Sequence, residues 1–101
     1  MFLEVAVLNV RKGEEAAFES AFRQAQGIIA ASRGYSGHEL QRCLERPNQY
    51  ILLVRWQTLE DHTVGFRQSA AYEGWKNLLH HFYDPFPTVE HYVEVSQTTS
   101  N

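Results

Sequence analysis

Apolar residues along the chain follow two rhythms, one of period two and one of three to four. Residues 2–10, FLEVAVLNV, set Phe2, Ala6, Leu8 and Val10 on one face of an extended strand and Leu3, Val5 and Val7 on the other. A strand that is apolar on both faces is expected to be buried on both. KGEE then opens a helix, with acidic side chains in the first turn, where the helix dipole favours them. Phe18, Ala21, Phe22, Ala25, Ile28 and Ile29 recur at helical steps and form one core-facing stripe. Gly34 is placed to be its left-handed cap. YSGHELQRCLE, residues 35–45, alternates again as a second strand, and RPNQ marks a turn. YILLVRW, residues 50–56, is a third strand, close enough to the second to make an antiparallel hairpin. Thr58 and Asp61 have the spacing of a capping box and start a short helix. Ser69 caps another, with Tyr72, Trp75, Leu78, Leu79 and Phe82 as its apolar stripe. DPFP stops it, because proline cannot continue a helix and pushes the preceding residue into extended forms. TVEHYVEV, residues 88–95, is a last strand with Val89, His91, Val93 and Val95 on one face.

The order is β-α-β-β-α-β with the second helix split. It predicts an α+β, ferredoxin-like domain over residues 1–95, in which helices cover one face of a four-stranded antiparallel sheet. The polar tail SQTTSN, residues 96–101, frays or is ordered by a partner. The helices reach only one side of the sheet, yet the strands are apolar on both. A homodimer packed through its sheet faces would cover the other side.

Composition narrows the partners. At 101 residues the chain makes one domain, and its net charge is -3. The nine basic residues are scattered, so nucleic acid and an anionic membrane surface are not expected. Cys43 is the single cysteine and can form neither an internal disulfide nor a metal cluster, which fits a reducing cytoplasm. MFLEVAVLNV lacks a basic leader region and already contains Glu4, so it does not read as a signal peptide. No apolar run approaches the roughly 20 residues that span a bilayer.

Candidate chemistry gathers in LEDHTVGFRQSAAYEGW, residues 59–75. His62 has Phe66 one turn later, and an imidazole facing an apolar space could act as a base near neutral pH. Phe66, Tyr72, Trp75, Phe82 and Tyr83 could be ordinary core, or could clamp a flat ligand, since buried Tyr and Trp need partners for their polar atoms. Arg55 or Arg67 could hold an anionic group, or be solvated. His80 and His81 point about 100° apart on a helix and cannot share a metal ion. His38 and His91 lie on strands that could bring them together. No spacing supplies three or four converging metal ligands, and no phosphate loop or nucleophile elbow is present. Neither a metal nor a cofactor is expected.

The segment LLVRWQTLEDHTVGFRQSAAYEGWKNLLHHFYDPFPTVEHYVEV resembles the antibiotic biosynthesis monooxygenase domain family. The marks are a strand ending in Trp56, then LEDH, GFRQS, Tyr72-x-x-Trp75, and VEHY on the last strand. The resemblance covers nearly the whole chain. It implies a dimeric α+β barrel with a pocket in each subunit between sheet and helices. Some members oxidise aromatic polyketides or quinols with dioxygen and no metal or flavin; others degrade heme or isomerise small metabolites. The heme-degrading Asn, Trp and His fall near Ala6, Phe66 and Lys76 here, so that set is not matched. The leading expectation is a cofactor-independent monooxygenase of a small phenol- or quinol-like substrate. His62 would be its base, and Phe66, Arg67, Tyr72, Trp75 and Phe82 its binding residues. An isomerase or tautomerase of a small carbonyl metabolite and a non-catalytic ligand-binding dimer are the alternatives.

Overall fold

The computed structural model describes residues 1–98. β1 (Phe2–Asn9), β2 (Tyr35–Arg42), β3 (Gln49–Trp56) and β4 (Val89–Val93) form one sheet in the order β2-β3-β1-β4. All three pairings are antiparallel. Helix α1 (Glu15–Ala30) crosses from β1 to β2, and α2 (Ala70–Leu79) follows β3 after a π-helical segment, Asp61–Phe66. The ferredoxin-like order expected from the periodicity is the order observed.

The register fixes which side chains share a face. Glu4, Ala6 and Leu8 of β1 oppose Val54, Leu52 and Tyr50 of β3, and Glu4 also opposes His91 of β4. This inner face meets Phe18, Phe22, Ala25 and Ile29 of α1 and Trp75 and Leu79 of α2 to make the core. Each large apolar side chain fully buried there contributes roughly 1.5–3 kcal/mol.

The outer face carries Leu3, Val5 and Val7 beside Arg55, Leu53 and Ile51. Leu3, Val5, Ile51 and Leu53 are only partly buried, Val7 is 40% exposed and Tyr92 on β4 is 51% exposed. No helix of the described residues covers this face.

Local details differ from the sequence reading, beginning with β2, which ends at Arg42 and not at Glu45. β4 ends at Val93, because Val93 pairs with Phe2 at the start of β1 and no rung lies beyond. Val95 is accordingly 95% exposed and not part of a strand face. Gly34, with φ of 81°, does not cap α1, which has already ended at Ala30 with a right-handed Ala31 after it. It turns the chain into β2, and its carbonyl accepts from the Gln57 amide at 2.8 Å. Of the polar tail, residues 96–98 are exposed and irregular, and 99–101 lie outside the described residues.

Candidate active site

The split in the second helical region has a physical cause. Thr58 and Asp61 cap each other: the Asp61 amide donates to Thr58 Oγ1 and the Thr58 amide to Asp61 Oδ2, both at 3.2 Å. The chain then winds wider than an α-helix, and the Arg67 amide reaches back five residues to the His62 carbonyl at 3.1 Å. Such π-helical turns cost regularity and are frequent at functional sites. Ser69 restarts the chain as α2, its Oγ accepting from the Tyr72 amide at 3.3 Å. The wide turn drives both His62 and Phe66 inward, to 3% and 2% exposure.

Beneath them, between the inner sheet face and the helices, lies a cavity of about 370 Å³. Ala6, Leu8, Leu52 and Ile29 form an apolar floor. Phe66, Tyr72 and Trp75 form a wall of rings set edge to face, with Phe66–Tyr72 and Phe66–Trp75 centroids 5.4 and 5.7 Å apart. Such edge-to-face pairing is the favoured arrangement for aromatic quadrupoles. Arg67 and Phe86 stand exposed at the rim, and His80 and Tyr83 add polar atoms.

Glu4 also lines this cavity, at 5% exposure. Trp56 Nε1 donates to Glu4 Oε1 at 2.9 Å, and His62 Nε2 lies 3.3 Å from the same oxygen. His62 stacks on the Trp56 indole at 5.3 Å and 20°. Its other nitrogen, Nδ1, is 2.7 Å from His91 Nε2. Glu4 Oε2 has no protein partner among the described residues, so it is the oxygen available to a bound molecule.

Burial sets the charge states. It raises Glu4 above the usual carboxylate range, against the Trp56 hydrogen bond and the Arg67 guanidinium, which both favour the anion. Burial lowers His62 to about 3, with Arg67 and His91 adding to the effect. His91 is lowered too, by burial and then by Arg67. His62 is therefore neutral at physiological pH, and its 3.3 Å approach to Glu4 Oε1 is a close polar contact, not an ion pair.

The sequence-predicted residues divide accordingly. His62, Phe66, Arg67, Tyr72 and Trp75 all line the cavity. Phe82 is not among the lining residues; it packs edge-on against Phe18 at 5.8 Å. Its neighbour Tyr83 takes the lining position. Arg55 sits on the outer sheet face with Glu39, 3.3 Å away. His38 hydrogen-bonds Tyr35 and, at 3.2 Å, Gln26, remote from His62. Among the described residues no group of three or more His, Cys, Asp or Glu could hold a metal ion. Sequence reasoning missed Glu4 and Trp56, although strand alternation sets Glu4 between Phe2 and Ala6 on the core face. An acid at such a position was the available signal.

Comparison with known proteins agrees with this architecture. The antibiotic biosynthesis monooxygenase family matches residues 1–78. The uncharacterized protein YczJ of Bacillus subtilis is 55% identical over 95 residues, covering 94% of this chain and all of that protein. A crystal structure from Bordetella bronchiseptica bearing the same family name is 37% identical, with a TM-score of 0.90 over 94% of this chain and 97% of that one. SnoaB, a cofactor-independent oxygenase from Streptomyces nogalater, shares the fold at 23% identity, with a TM-score of 0.69 over 97% of this chain and 94% of its own. A family match over three-quarters of the sequence, with a close relative superposing along nearly all of it, means that this chain belongs to the antibiotic biosynthesis monooxygenase family.

Proposed function

We propose that the protein is a cofactor-independent monooxygenase of a small aromatic, phenol- or quinol-like molecule. The observation that carries this reading is the buried Glu4 carboxyl group, held by Trp56 and His62, in a cavity walled by aromatic rings. At about 370 Å³ the cavity is at the small end of ligand pockets, which suits a flat molecule of up to three fused rings. Phe66, Tyr72 and Trp75 would hold the ring face, and Arg67 at the rim would attract a phenolate or carboxylate.

The base assigned to His62 from sequence is better divided between two residues. Both His62 nitrogens are engaged, so the proton leaves the substrate for Glu4 Oε2, with His62 supporting the carboxylate through Oε1. A carboxyl raised toward neutrality is suited to this exchange, and a positioned base contributes typically about 10²–10⁴-fold. The substrate carbanion adds to dioxygen, and the peroxide anion takes a proton from water to give a hydroperoxide, which leaves Glu4 to return its own proton to solvent. Loss of water leaves a carbonyl. One oxygen atom enters the product and the other leaves as water. In an anthrone-like phenol the ring CH₂ loses both hydrogens and supplies all four electrons, so no external reductant is required.

A homodimer through the outer sheet faces completes the proposal, supported by the apolar row Leu3, Val5, Val7, Ile51 and Leu53. The half-buried free thiol of Cys43 fits a reducing cytoplasm. No helix of the described residues is long and apolar enough to cross a membrane.

Oxygen uptake against a panel of hydroquinones and anthrone-like phenols, with chelator present, tests the chemistry. Uptake that requires the protein is expected. A second reading, isomerisation of a small carbonyl metabolite, draws on the same Glu4–His62 pair, which can shuttle a proton without oxygen. Product formed with no oxygen consumed would favour it; binding without product would favour a ligand-binding dimer.

A further inference from the structure

Three ionisable side chains from three separate elements meet in one line: Glu4 from β1, His62 from the π-helical segment and His91 from the edge strand β4. Glu4 and His62 line the cavity, whereas His91 is half-buried and is not among its lining residues. We propose that these residues form a proton relay leading from the cavity to the β4 edge, with His91 as its outer terminus. The proposal deepens the functional reading above, because it supplies the path by which the proton on Glu4 exchanges with solvent.

The two contacts of His62 permit two arrangements. With Glu4 ionised, His62 Nε2–H donates to the carboxylate and His62 Nδ1 accepts from His91 Nε2–H. With Glu4 protonated, its O–H donates to His62 Nε2, and His62 Nδ1–H donates to His91 Nε2, whose own proton then sits on Nδ1. Moving one proton converts the second into the first. The Glu4 O–H bond breaks as His62 Nε2–H forms, and His62 Nδ1–H breaks as His91 Nε2–H forms. The proton on His91 Nδ1 then leaves to water. His62 never needs to hold two protons, which its burial and the nearby Arg67 disfavour.

The groups around His62 allow this assignment. His91, hydrogen-bonded at 2.7 Å, and Glu4, in polar contact at 3.3 Å, are its neighbours, Arg67 is the cation acting on all three relay members, and β3 contributes only the neutral Trp56 indole. Trp56 stacked on His62, and donating to Glu4, keeps the line in register.

Ring-nitrogen NMR of the full chain tests the relay without any substrate. Spectra correlating ¹⁵N with ring protons would be recorded across pH for the wild type, Glu4→Gln and His91→Phe. In the wild type, lowering the pH through the Glu4 titration should switch His62 from the Nε2–H to the Nδ1–H tautomer without charging it. His91 Nε2 should change from donor to acceptor in the same step. Glu4→Gln should abolish the pH-driven switch, and His91→Phe should uncouple it from the β4 edge. A single His62 tautomer throughout, or His62 charging before any switch, would overturn the relay. Given a substrate from the oxygen panel, His91→Phe should lower kcat about tenfold and leave KM unchanged; an unchanged kcat would remove the relay from turnover. Should no phenol support oxygen uptake while the tautomer switch is present, the monooxygenase reading fails and the relay stands.

Discussion

His62 shows how one buried side chain ties stability to pH. In the unfolded chain it takes a proton near pH 6.5, whereas in the fold it resists one down to about 3. Between those values the unfolded chain binds more protons, so stability falls as the pH drops from 6.5 toward 3, by at most about 1.4 kcal/mol per pH unit. Glu4 works the other way. Its raised value means the folded state holds its proton more tightly, so its contribution is lost as pH rises through the folded value. His38, His80 and His91, also lowered, act with His62. Replacing His62 with Gln should therefore flatten the acid limb of a plot of Tm against pH; a limb as steep as the wild type's would show that another group titrates there. His62 was legible in the sequence as a polar residue on an apolar helical face. Its partners were less so: Glu4 lies 58 positions away in sequence and His91 29. Only the pairing of β1 with β4 sets Glu4 opposite His91, and periodicity within one strand does not give the order of strands in a sheet.

At the scale of elements, the turns carry the strongest constraints. Gly34 has a positive φ, and a Cβ placed there would run into the Asp61 carboxylate that caps the π-helical segment. Left-handed backbone costs a non-glycine residue roughly 1–2 kcal/mol, and displacing Asp61 adds to it. Gly27, on the exposed side of α1, has open space around it. Gly34→Ala should thus destabilise by at least about 1 kcal/mol, while Gly27→Ala should stabilise by roughly 0.5–1 kcal/mol. Equal effects of the two in urea unfolding would contradict this account of the α1–β2 turn. Ser69→Ala removes the α2 cap and should cost about 1 kcal/mol in the same assay; no loss would mean that packing alone starts α2. Period and capping signals located these elements well, since both act within a few residues. They misplaced the end of β4, because the apolar run continues past Val93 while the partner strand does not. They also gave no sign of the π-helical winding, which depends on the inner sheet face drawing His62 and Phe66 inward together.

For the whole molecule, the open question is what covers the outer sheet face. A row of valine, leucine and isoleucine across β1 and β3, with Tyr92 beside it, is a surface that monomers seldom leave to water. Leu53→Lys should convert a dimer into a monomer in sedimentation velocity at micromolar concentration; a wild-type monomer would contradict the face-to-face assembly. The aromatic-walled cavity lies on the opposite side of the same sheet, so β1 borders both, with Leu3, Val5 and Val7 turned outward and Glu4, Ala6 and Leu8 turned inward. The fold class was readable from the chain because alternation reports both faces of a strand. The proposed division of labour between Glu4 and His62 was not, because it depends on how far each is withdrawn from water. The measurement that tests the central claim most directly is turnover under ¹⁸O₂ of an anthrone-like phenol by wild type and Glu4→Gln. The account predicts one labelled oxygen in the product, the other in water, and a rate about 10²–10⁴-fold lower in Glu4→Gln. Equal rates in the two proteins, or product formed without label, would contradict it.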